Sequence, residues 1–292
     1  MNERFQDYWR ARLQFLDVHY HVSPDAFARR HGVVAAGRLY QALGGGVVLK
    51  NHLGDSVASA ETARELGLPV FGSLVLNSVA GGPCWRTVEA SLCKAQAEQS
   101  GRLLVHLPTF TGATHKSRLS RSYGNHAAAV FAAAPIQVSD STGELRPEVI
   151  ELLHVARDFP VVISTGHASR SETLRLIDAV DRYGAPRLML NQPANPMTGL
   201  TADDLCAIAG PHWLYVEQTA LTYLLGYQDW NDFAAVMADV PNVIYSSDLG
   251  QIDQPDISEW HARSQIWFDE IGLDAIRRAS ISLETPLAML AP

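Results

Sequence analysis

Two spacings alternate along the chain. Short apolar runs of strand length end in polar residues, and stretches with helical spacing follow them. The runs predict eight strands: Phe15 to His21, Val47 to His52, Pro69 to Asn77, Leu103 to Pro108, Val161 to His167, Arg187 to Gln192, Trp213 to Gln218 and Val243 to Asp248. Helical patterns follow at Ala60 to Leu66, Thr87 to Gln99 and Glu148 to Asp158. Ser169-Arg170-Ser171-Glu172 has capping-box spacing and opens a helix to Tyr183; Thr201-Ala202-Asp203-Asp204 offers a second such start. Gly67, Gly184 and Gly272 stand where helices should close.

Eight strand–helix units predict an α/β chain folded as a (β/α)8 TIM barrel, regular or distorted, in one domain over residues 1–292. The alternative is an open doubly wound sheet. That fold normally carries a glycine-rich turn after strand one, where this chain has His21-Val22-Ser23-Pro24. Two long loops interrupt the barrel pattern. Residues 22–42 follow strand one and include a short helical piece, Pro24 to Arg30; residues 109–147 follow strand four. Both leave the C-terminal ends of strands, where barrel active sites lie, so they are expected to cover the site and bind substrate.

Composition narrows the function. The 292 residues are 47% hydrophobic and 18% charged, with a net charge of −8. No basic run exceeds Ala28-Arg29-Arg30-His31, which excludes a concentrated nucleic-acid-binding stripe. No 18-residue apolar stretch predicts a membrane span. The polar, acidic start does not read as a signal peptide, and Cys84, Cys93 and Cys206 form no Cys-x-x-Cys pair. A reduced, cytoplasmic protein is expected. A homodimer is expected only from the general frequency of symmetric dimers.

Polar residues collect at one end of the predicted strands. His19 and His21 end strand one, and side chains two apart share a face. Lys50 and His52 end strand two, His106 lies late in strand four, and His167 ends strand five. Asn191 and Gln192 end strand six, Glu217 lies late in strand seven, and Asp248 ends strand eight. This grouping predicts metal-assisted addition of water to a small polar molecule. His19, His21, His167 and Asp248 are the expected metal ligands, with His52 as a further ligand or its support. Asp248 is the expected acceptor of the nucleophilic water's proton. His106 is a ligand or an oxyanion donor. Lys50 has three readings: carboxylated and bridging two metals, paired with a carboxylate, or forming a Schiff base. Asn191, Gln192, Glu217, Arg118, Arg121 and His115 are the expected substrate contacts.

His19-x-His21 on strand one, His167 on strand five and Asp248 on strand eight resemble the amidohydrolase superfamily of metal-dependent barrels. Val48-Leu49-Lys50-Asn51-His52, Ser164-Thr165-Gly166-His167 and Ser246-Ser247-Asp248-Leu249-Gly250-Gln251 carry a closer likeness to an uncharacterised amidohydrolase-related branch. The resemblance implies one or two divalent ions, commonly zinc, with manganese an alternative. It implies hydrolysis of an amide, lactam, lactone or related bond, with metal-bound hydroxide as nucleophile. By the same resemblance His19, His21 and Asp248 hold the buried metal and His167 is the strand-five ligand. The chain departs from the family pattern in carrying Lys50 on strand two, His106 on strand four, and Leu190-Asn191-Gln192-Pro193 in place of a strand-six histidine. Two further readings therefore stay open: a metal-dependent decarboxylase or lyase acting on a small carboxylate, and a non-catalytic metal-binding or interaction barrel.

Overall fold

The computed structural model describes residues 2–95, 98–112, 118–119, 121–184 and 187–292. Its strands are β1 (Phe15–His21), β2 (Gly45–Lys50), β3 (Val70–Val75), β4 (Leu103–His106), β5 (Val161–Ser164), β6 (Leu188–Leu190), β7 (Leu214–Thr219) and β8 (Val243–Ser246). They form one parallel sheet in the order β1 to β8, with helices between the strands. Tyr20 bridges Leu249 in parallel, and two backbone bonds of 2.9 Å, Asp248 N–H to His19 O and His21 N–H to Leu249 O, draw the end of β8 onto β1. The predicted (β/α)8 TIM barrel is the fold found. Among the described residues no helix is long and apolar enough to cross a membrane. All three cysteines are free.

The barrel interior is layered. Val48, Phe71, Leu104, Val162, Met189, Tyr215 and Ile244, one from each of β2 to β8, pack with Leu16 and Val18 of β1 in one buried apolar cluster. Phe5 and Trp9 of the helix Asn2–Arg10 and the C-terminal Leu287 and Leu290 join that cluster and plug the barrel's lower end. The alternate strand residues, such as Val47, Leu49, Val105 and Val161, pack in a second cluster with the surrounding helices. Because strand side chains alternate with period two, the residues next inside the barrel above the apolar layer are Lys50, Ser73, His106, Ser164, Asn191, Glu217 and Ser246. All seven are buried.

The capping boxes at Ser169 and Thr201 form as predicted, and Gly184 and Gly272 close their helices in the left-handed conformation. Other boundaries differ. β5, β6 and β8 stop two or three residues short of the apolar pattern, because the chain turns out of the sheet at Gly166, Gln192 and Asp248, all with positive φ. The pattern over Thr87 to Gln99 resolves into a helix Trp85–Leu92 and a separate turn Glu98–Ser100. The expected helical piece at Pro24 to Arg30 does not form. Its backbone bonds outward instead: Ala28 N–H to Ser122 O, Arg30 N–H to Gly250 O, and Ala26 O from Gly124 N–H. The helices Asn2–Arg10 and Val33–Ala42 escaped the pattern reading.

Candidate metal centre

The site starts with an irregularity in β1. Leu16 and Val18 point into the apolar layer, so strict alternation would send His19 outward. The β1–β2 register shifts between Asp17 and Tyr20, the signature of a bulge, and His19 and His21 both reach the interior. Asp17 pins this bulge. Its carboxylate accepts the Tyr40 hydroxyl at 2.5 Å and the backbone N–H groups of His19 and Ser247 at 3.0 and 3.1 Å. Sequence reasoning assigned Asp17 no role; its place two residues before His19 was the available signal.

Three donor atoms converge above the bulge. His19 Nε2 lies 3.3 Å from His21 Nε2 and 2.9 Å from Asp248 Oδ1, and His21 Nε2 lies 3.3 Å from the same oxygen. Ligands about 2.0–2.1 Å from a tetrahedral zinc stand about 3.3 Å apart, so the triangle has the size a metal requires. His19 Nδ1 sits 2.9 Å from Glu217 Oε1, and Glu217 also accepts from Ser246 Oγ and from the Gln192 backbone. A carboxylate on the far nitrogen fixes the tautomer and presents Nε2 as a lone pair. Burial alone would raise the Asp248 carboxyl, but His19 and His21 outweigh it and hold it well below the usual carboxylate range. The donor set, its spacing and its carboxylate support fit a divalent metal.

A second group sits beside it. His21, Asp25 and His52 bring one ligand-type atom each within 4.8 Å of one another. His52 Nδ1 lies 2.9 Å from Asp25 Oδ2, and the His21 and His52 rings stack at 4.6 Å. Arg29 fills the space between: its Nη2 is 2.6 Å from Asp25 Oδ2 and 3.2 Å from His52 Nδ1. Asp25 and Arg29 were not singled out in the sequence, because the loop after β1 carries no periodicity to place them.

The remaining residues distribute as follows. Lys50 Nζ donates to Asn191 Oδ1 at 2.9 Å; no carboxylate lies within 4.0 Å of it among the described residues, so the expected pairing with a protein carboxylate is absent. Burial brings its pKa down to about 8. His106 Nδ1 bonds Ser164 Oγ at 2.9 Å, while its Nε2 is buried without a partner among the described residues. His167 stands outside the His19–His21–Asp248 triangle, with its Nε2 3.1 Å from Gln192 Nε2. Gln192 and Asp248 both hold positive φ, at 38° and 54°, a strain that clusters at functional sites. Arg118 donates to the carbonyls of Leu225 and Gly226, and does not line the cavity. His115 lies outside the described residues.

A cavity of about 200 Å³ opens on the triangle, lined by His19, His21, Lys50, His52, His167 and Asp248, with Arg121 and Gln192 at its wall. Cavities of about 280 and 650 Å³ elsewhere are lined by no histidine or aspartate.

Residues 14–217 match a family described as "Family of unknown function (DUF6282)". No curated protein matches the sequence. Several solved structures share the fold. An Agrobacterium tumefaciens protein in its apo form has a TM-score of 0.58 at 13% identity, over 95% of this chain and 96% of that one. An amidohydrolase from Burkholderia multivorans, solved with bound zinc, has a TM-score of 0.51 at 12% identity, over 95% and 99%. A 2,6-dihydroxybenzoate decarboxylase from Rhizobium has a TM-score of 0.55 at 9% identity, over 94% and 97%. At these identities the likeness speaks for the fold alone, the (β/α)8 barrel expected from the sequence.

Proposed function

The chain belongs to the family of unknown function DUF6282, and from that premise we propose that it is a metal-dependent hydrolase of a small polar molecule. The observation that carries this reading is the donor triangle of His19, His21 and Asp248, opening on a small cavity at the barrel mouth. Those three residues would hold one divalent ion, zinc or manganese by the character of the donors. Bound there, such an ion acidifies water and polarises a carbonyl or related electrophile.

The chain's own groups supply the rest. Glu217 keeps the His19 tautomer fixed. Asp248 Oδ1 faces both imidazoles, while Oδ2 has no hydrogen-bond partner among the described residues and is the atom that accepts the nucleophile's proton. The Gln192 amide and the Thr109 hydroxyl, both at the cavity wall, orient the substrate. His167 completes the metal set if it releases Gln192, and otherwise binds substrate beside it.

One ion rather than two follows from Arg29. The second group, His21, Asp25 and His52, has ligand chemistry, but a permanent guanidinium already contacts Asp25 and His52. A second divalent ion would sit against that cation, and the one carboxylate of the group, Asp25, is already paired with it. Arg29 takes the place a second metal would have.

The test is bound metal per chain, then product mass. About one equivalent is expected after reconstitution with zinc, and none in His19→Ala. Two equivalents would overturn the single-ion reading, and no metal with zinc or manganese would overturn the whole. Turnover of a lactone and amide panel should give products heavier than substrate by one water. Loss of carbon dioxide would instead establish the second reading, a decarboxylase, which is favoured by Lys50 having no carboxylate partner.

A further inference from the structure

The cations of the cavity are not directly paired. Two side chains that carry positive charge line it without a carboxylate partner. Lys50 is 1% exposed, and its ammonium has three donors but one neutral acceptor, Asn191 Oδ1. Arg121 has its guanidinium 4.9 Å from the centre of the Phe27 ring, and no carboxylate lies within 4.0 Å of it among the described residues. Arg29, near the same Phe27 ring, shows the alternative: its Nε and Nη2 both reach Asp25 Oδ2. The one carboxylate lining the cavity is Asp248, and His19 and His21 occupy its Oδ1.

Glu217, Asp248 and Asp25 act on the Lys50 ammonium through space, but none touches it, and a buried ammonium with no carboxylate in contact is costly. The cost falls away when an anion enters. Part of the remaining lining is apolar: Phe110, Met197, Leu221 and Leu225 contribute no charge. We propose that Lys50 and Arg121 form a carboxylate-binding subsite, and that the substrate is a small molecule joining one carboxylate to an apolar body. A carboxylate suits two cations of different reach, a fork from Arg121 and a point charge from Lys50. Phosphate normally draws on a cradle of backbone N–H groups. The proposal rests on the reading of this cavity as the substrate site, and it holds for hydrolysis and decarboxylation alike.

The experiment is calorimetric titration of the full-length protein, with and without zinc. The probes are benzoate and its neutral isostere benzamide, hexanoate and hexanamide, and inorganic phosphate. We expect at least one acid to bind at least tenfold tighter than its amide. Lys50→Met and Arg121→Met should each remove that preference, leaving zinc content and amide binding at the wild-type level. Lys50→Met should also melt higher than wild type without ligand, because an apolar side chain replaces an unpaired buried charge. Equal binding of acids and amides overturns the proposal, as does tighter binding of phosphate than of either acid. A Lys50→Met protein that loses zinc also overturns it, since Lys50 would then belong to the metal site. An acid preference that survives without zinc supports the subsite even if the metal reading falls. Zinc binding without acid preference leaves the metal reading intact and removes the subsite.

Discussion

Two layers of the barrel interior lie about 7 Å apart along the strands, two residues of extended chain. The lower holds Val48, Phe71, Leu104, Val162, Met189, Tyr215 and Ile244; the upper holds Lys50, Ser73, His106, Ser164, Asn191, Glu217 and Ser246. Both are buried, and both come from the same seven strands. Their chemistry is opposite. The lower layer gains from leaving water, at about 25 cal/mol per Å² of apolar surface. The upper layer loses from it, and each polar group there needs a partner. Many partners are present, such as Ser164 for His106 and Ser246 for Glu217. Where they are incomplete, at Lys50 with its single neutral acceptor, or missing, at His106 Nε2 among the described residues, the structure has kept a cost that stability alone would not retain. The contrast separates what holds the barrel shut from what it is built to hold.

Removing a ligand should break the contrast most completely. Asp248→Ala and His19→Ala are expected to abolish metal binding and turnover while leaving the thermal unfolding temperature of the metal-free protein close to wild type. Bound metal by atomic emission and melting by circular dichroism check the two halves. A large drop in stability with metal retained would reverse the assignment of the layers.

The lower layer should respond in the opposite sense. Phe71 is 1% exposed, and its ring lies 4.7 Å from that of Trp9 and 6.3 Å from that of Phe5. Phe71→Ala should destabilise the protein by about 3–5 kcal/mol through lost burial and the cavity left behind. Metal content of the folded fraction should not change. Urea denaturation with metal analysis on the same sample decides it.

Glu217 sharpens the boundary within the upper layer. It contacts His19 rather than the cavity, so it acts through a ligand. Glu217→Gln keeps the shape and removes the charge that fixes the His19 tautomer. Metal affinity should fall by about 10–100-fold, as for other carboxylates supporting a ligating histidine. A competitive zinc titration measures it; unchanged affinity would reduce Glu217 to packing.

The layers were legible in the sequence to different degrees. Period two made the strands readable, and with them the inward pairs Val48 and Lys50, Leu104 and His106, Tyr215 and Glu217. It could not reveal the bulge in β1, because a bulge breaks the period used to find it. His19 and His21 were paired correctly, yet Val18 directly before them also faces inward. The loop after β1 was the least readable part. Its residues bond to Ser122 and Gly250, far away in the chain, and no local pattern encodes such contacts. Asp25 and Arg29 were missed for that reason, and a helix was expected where none forms. Two glycines in the quoted motifs gain a cause only from the structure. A Cβ on Gly250 would stand 2.1 Å from His21 O, and one on Gly166 2.1 Å from Leu107 O. Both hold positive φ, so close approach and backbone conformation each require glycine.

Glu172 supplies the smallest effect and the cleanest control. Like Glu217 it is a buried, fully hydrogen-bonded carboxylate, but it sits at the start of the helix Arg170–Tyr183, outside the barrel interior. Oε1 accepts from the Ser139 backbone and hydroxyl, and Oε2 from the Ser169 backbone N–H at 2.8 Å. Burial works to raise its pKa, and the bonds from Ser139 and Ser169 outweigh it, leaving the group below its ordinary 4.5. A carboxyl with a depressed folded-state pKa stabilises the fold above its unfolded value, and that stabilisation is lost as pH falls through the folded one. Glu172→Gln should therefore cost about 1 kcal/mol near neutral pH, the scale of a helix cap. The gap to wild type should close as the solution is taken below the unfolded value of 4.5. Zinc affinity should not move at all. Paired denaturation curves across that range, set beside the zinc titration of Glu217→Gln, would show two buried carboxylates doing separate jobs. A gap that widens in acid would mean that Glu172 is held protonated, and that its bonds run the other way.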